Sequence, residues 1–92
     1  MEHSEAQNSS LDEAKRRAKV ASDTMATYGA NADAVIQRQW QVAVEAYRKA
    51  RQVALGKNTA KAFANMEIHV RGMLHIAGRV ESMALESEKH KL

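Results

Sequence analysis

Apolar residues recur along this chain mainly with the period of a helix. Leu11, Ala14, Ala18, Ala21, Met25 and Tyr28 step 3-4-3-4-3, the spacing of one seam on a packed helix. Phe63, Met66, Val70, Met73, Ala77, Val80 and Ala84 continue the same alternation further along. Between them, Ile36, Trp40, Ala43, Tyr47, Ala50 and Ala54 lie on a third stripe. Val35, Val42, Ala46 and Val53 sit beside it, so the apolar arc of this middle segment spans roughly 160° at 100° per residue. An arc that wide predicts a middle helix with two neighbours. Gln39 falls inside the arc and requires a partner if buried.

Local signals place the boundaries. Ser10 followed by Glu13 has the capping-box spacing, and Gly29 is suited to the left-handed position that closes a helix. Asn31 can cap the second helix. Gly56 is placed to stop it, and Asn58 or Thr59 to start the third. No proline interrupts any segment. The expectation is an all-α fold: a three-helix antiparallel bundle, or an opened, dimerising variant of it. Helices are expected at about 10–28, 32–55 and 59–86 within one domain over 10–88, with a flexible tail over 1–9 and a frayed end over 89–92. One window competes. Ile68, Val70, Gly72, Leu74, Ile76, Gly78 and Val80 also alternate strictly, as in a strand. The helical stripe is favoured there because it begins and ends outside that window, and a lone hairpin is marginal.

Composition adds a stability constraint. The 92 residues include seventeen alanines against five leucines and one phenylalanine. A chain of this size buries only about 60–65% of its unfolded surface, and alanine contributes little area to that burial. Self-association, or a partner covering a helix face, is therefore expected. There is no cysteine, which removes disulfides and thiolate metal sites. No apolar run has the length of a membrane span, and the N-terminal segment lacks a signal-peptide core. A soluble, cytoplasmic protein is the default expectation, compatible also with secretion without a signal peptide. Net charge is +3, unevenly placed. Residues 1–14 carry four acidic side chains and no lysine or arginine, whereas 15–79 carry twelve Lys/Arg against four Asp/Glu.

The stretch VRGMLHIAGRV at 70–80 invites a chemical reading. His69 and His75 are six residues apart, about 120° on a helix, so they cannot share one metal ion without outside ligands. No HExxH or cysteine set is present, and Gly72 and Gly78 do not open a helix after a strand as a phosphate loop requires. No serine or cysteine nucleophile motif occurs. Neither catalysis, nor a cofactor, nor a metal is expected. Glycine inside a helix is unfavourable by roughly 1 kcal/mol against alanine, so Gly72 and Gly78 suggest close approach of a neighbouring helix or subunit. Glu67, Arg71, His75 and Arg79 form an i, i+4 row, in which Glu67 and Arg71 suit a surface ion pair.

Ala43-x3-Tyr47-x2-Ala50 resembles part of the second helix of a tetratricopeptide repeat, but the first helix and closing proline of that repeat are absent. A mid-chain tryptophan in a short cysteine-free chain is similar to small secreted WXG-type hairpins. Here Trp40 is followed by Gln41-Val42, without their glycine. Neither resemblance defines a family.

The expected function is a small helical protein–protein interaction module: an oligomerising adaptor, a secretion-type chaperone or substrate, or a regulator. It would act through apolar helix faces with a basic rim. The candidate partner-binding residues are Arg71, His75, Arg79, Trp40, Tyr47 and Met73. The alternative is a basic nucleic-acid-binding protein contacting phosphates through Lys15, Arg16, Arg17, Lys19, Arg48, Lys49 and Arg51.

Overall fold

A computed structural model describes residues 2–90, with side chains described over 10–30 and 32–89. Three long helices account for nearly all of it: α1 (Glu2–Tyr28), α2 (Ala34–Lys57) and α3 (Ala60–His90). A single 3-10 turn, Gly29–Asn31, links α1 to α2. The fold is all-α, and the alternating window at 67–81 lies wholly within α3.

Several boundaries differ from the sequence expectation. Helical backbone begins at Glu2, so Ser10 and Glu13 lie inside α1 and do not cap it. Glu, Ala and Gln in that segment are good helix formers, and nothing there breaks a helix. Gly29 does not adopt a left-handed conformation. Instead the chain tightens into the 3-10 turn, and the Gln37 side-chain amide donates to the Gly29 carbonyl at 2.6 Å. The cap of α2 is Asp33, whose carboxylate accepts from the Ile36 amide at 2.9 Å, and not Asn31. Ala32 and Asp33 are extended between the turn and the helix. Gly56 does not stop α2, which runs on to Lys57. The helix ends at Asn58, left-handed at φ 52, a conformation asparagine tolerates better than most residues. Thr59 then opens α3, its hydroxyl accepting from the Ala62 amide at 3.2 Å.

Packing follows from side-chain size. The doubly contacted helix is α3, not α2: both α1 and α2 lie along it, while they touch each other little. The reason is that α3 carries the large residues of the core. Met66, Met73, Val70 and Val80 are the largest fully buried side chains, with Phe63, Ala77 and Ala84 also buried. Against them α1 sets Leu11, Ala14, Ala18, Ala21 and Met25, and α2 sets Ile36, Tyr47, Ala50 and Ala54. The outer helices thus mix five alanines with four larger residues against the large side chains of α3, as close packing requires. Trp40, Ala43 and Val44 are partly buried at the edge of this core. Gln39 is exposed and has no burial to compensate.

The molecule is long and thin, 56 × 21 × 16 Å, with a radius of gyration of 15.3 Å against about 12 Å for a compact domain of this length. It exposes 6616 Å², where a compact monomer of this mass exposes about 5,300 Å².

Gly72 and Gly78 do not mark a close approach within the chain. A β-carbon at either position meets nothing within 4 Å, so the expected notch against a neighbouring helix is absent. Gly72→Ala and Gly78→Ala should each raise stability by about 0.5–1 kcal/mol, measured as the shift in thermal unfolding followed by circular dichroism. A loss of stability in either variant would show that a second chain approaches that glycine.

Candidate functional site

Helix α2 presents three different faces. Ile36, Tyr47, Ala50 and Ala54 face the core. Some 100° to one side run Val35, Gln39, Val42, Ala46, Lys49 and Val53, a 4-3-4-3-4 series that forms a narrow stripe on a helix of 3.6 residues per turn. This stripe lacks a partner in the fold. Val35 is 65% and Val42 61% exposed. With Arg38, Ala43 and His69 of α3, its first half lines a groove of about 520 Å³. The wide apolar arc of α2 thus serves one neighbour and leaves its outer flank open.

The other flank of α2 turns toward α1 and is cationic. Arg48 and Arg51 of α2 meet Lys15, Lys19 and Ser22 of α1 across a cleft of about 280 Å³, with Ala18, Val44, Tyr47 and Met73 completing its walls. No acidic residue lines it. The Lys19 ammonium lies 4.0 Å from the Asp23 carboxylate, and both side chains are well exposed. Such a contact is worth little. Among the described residues, Lys15 and Arg48 make no ion pair. The Arg51 guanidinium sits over the Tyr47 ring, 5.3 Å from its centroid, a cation–π distance. Tyr47 itself is only 4% exposed. Its hydroxyl is buried with no hydrogen-bond partner among the described residues.

The sequence-predicted residues therefore divide. Of the seven proposed phosphate contacts, Lys15, Lys19, Arg48 and Arg51 converge on the cleft. Arg16 and Arg17 point elsewhere, and both pair with the Glu13 carboxylate. Lys49 belongs to the outer stripe. Of the proposed partner-binding residues, Arg71, His75 and Arg79 are exposed along α3. His75 and Arg79 flank a shallow depression beside Gly78, together with Leu74, Ser82 and Met83. The expected Glu67–Arg71 ion pair is not formed. Tyr47 and Met73 are core residues, only 4% and 2% exposed, which a partner meets only in the wall of the α1/α2 cleft. Trp40 is partly buried. Val35 and Val42 were legible as an apolar arc, but not as the part of it left uncovered.

Comparison with family models, with curated proteins and with solved structures gives no match.

An orphaned buried hydroxyl is unfavourable by about 1–3 kcal/mol. Tyr47→Phe, which keeps the ring and removes the hydroxyl, should therefore raise the unfolding free energy by about 1 kcal/mol in the unliganded protein. Urea denaturation measures this directly; a loss of stability would mean that the hydroxyl has a partner in solution.

Proposed function

We propose that the protein is a small helical interaction module that self-associates through the outer stripe of α2. The observation carrying this reading is the self-complementarity of the stripe. Reversing one copy of α2 against another about a two-fold axis through the stripe, level with position 44 along the helix, sets Val35 opposite Val53 and Val42 opposite Ala46. The same operation sets Gln39 opposite Lys49. Apolar positions meet apolar ones, and polar meet polar, which is what an isologous contact needs. Arg38 and His69 form the basic rim of the groove.

The surface area supports the same reading. The chain exposes 6616 Å², about 1,300 Å² beyond the compact-monomer value, and a standard interface covers about 800 Å² on each partner. Val20, Leu55, Ile68, Met83 and Leu85 are also exposed, but they are scattered and do not form a stripe at helical spacing. The nucleic-acid alternative draws less support. Two of its cations are engaged with Glu13, and four others gather in a recess between helices where an extended strand would need them spread along a face.

Sedimentation equilibrium should return a dimer whose dissociation constant changes little between low and moderate salt. Val42→Asp introduces a charge into the centre of the contact twice per dimer. It should weaken association at least about a hundredfold while leaving helical circular dichroism intact. A wild-type chain that stays monomeric at high concentration would overturn the proposal.

A further inference from the structure

The α1/α2 cleft carries a second inference, independent of the outer stripe. We infer that it binds the phosphoryl group of a small phosphomonoester, with Lys15, Lys19, Arg48 and Arg51 as the cationic ligands and Tyr47 as a neutral donor. Four cations from two helices line one recess of about 280 Å³ that no carboxylate enters. Of these four cations only Lys19 meets a carboxylate among the described residues, in the weak contact with Asp23, so an anion entering the recess meets little competition from the chain's own acids. The composition of the recess selects the anion. Two planar guanidinium forks and two ammonium groups match the three terminal oxygens and near-dianionic charge of a phosphomonoester. A carboxylate offers half the charge and one oxygen fewer.

Tyr47 supplies the independent sign of a ligand. Its hydroxyl is a buried donor without a partner, in a residue that lines the same recess. The Arg51 guanidinium over its ring joins the aromatic wall to the cationic group. The location also gives the ligand a consequence for the fold. Lys15, Lys19 and Ser22 belong to α1, which meets α3 largely through alanines and meets α2 little. A phosphoryl group held from both helices would clamp α1 to α2, where packing alone does not.

The test uses the full chain at constant ionic strength, with sodium chloride replaced stepwise by inorganic phosphate or by glycerol 2-phosphate. Both should bind saturably in calorimetry and raise the thermal midpoint. Lys15→Gln combined with Arg48→Gln should lower the affinity at least about tenfold, whereas Arg16→Gln with Arg17→Gln should leave it unchanged. These side chains are exposed or only partly buried and outside the core, so both double variants should retain wild-type circular dichroism. Tyr47→Phe should bind severalfold more weakly despite folding normally, which separates ligand donation from a merely structural role. Absence of saturable binding would overturn the inference, as would equal losses in the two double variants. Binding of an oligothymidylate without binding of glycerol 2-phosphate would also overturn it, because the ligand would then be a nucleic-acid strand.

Discussion

The whole bundle depends on the apolar face of α3, whose large side chains pack against alanines at 14, 18, 21, 50 and 54 together with Leu11, Met25, Ile36 and Tyr47 of the outer helices. Met66, Val70, Met73 and Val80 are fully enclosed, and nothing comparable in bulk faces them from α1 apart from Leu11 and Met25. Alanines at 14, 18 and 21 are buried in the same core as these methionines. Methionine suits this arrangement because its unbranched thioether follows an irregular surface. Both outer helices thus take their place from α3, which explains why they touch each other so little.

That geometry gives α2 two free flanks of opposite character. One is apolar and faces away from the bundle, while the other is cationic and faces α1 across a gap. The gap exists because α1 and α2 are spaced by their shared support and not by mutual attraction. An exposed apolar face and a cationic recess are therefore carried on the same helix, with the Tyr47–Ala50–Ala54 core stripe between them. Neither feature requires a catalytic group, and the fold supplies both from ordinary surface positions.

How far the sequence speaks is clear from particular residues. The seams of α1 and α3 were legible in full, because a 3-4 alternation reports one buried face and Phe63 to Ala84 hold it without interruption. For α2 the periodicity reported the width of the apolar arc but not its use. Pattern along one helix does not say which other helix covers which part. The assignment of two neighbours to α2 failed for that reason. Around α2 the turns fall two positions later than the sequence suggests: Asp33 and Asn58 take the roles expected of Asn31 and Gly56, since several turn-formers stand together and only tertiary direction selects among them. The cationic cleft was half legible. Its residues were visible as local clusters, but their meeting across two helices was not, nor was the diversion of Arg16 and Arg17 to Glu13. The Arg71–His75–Arg79 row was recognised from its spacing and lies exposed as that spacing implies.

The dependence of α1 on α3 has a meaning for the order in which the chain is made. Among the three helices α1 is made before α2 and α3, yet the surface that holds it lies beyond the whole of α2. It must wait with its alanine stripe unpaired until α3 emerges. The short link at Asn58 and Thr59 joins α2 to α3, which pack together, and that pair is the platform on which α1 settles. Of these three helices, the one made first is thus the last to find its packing surface.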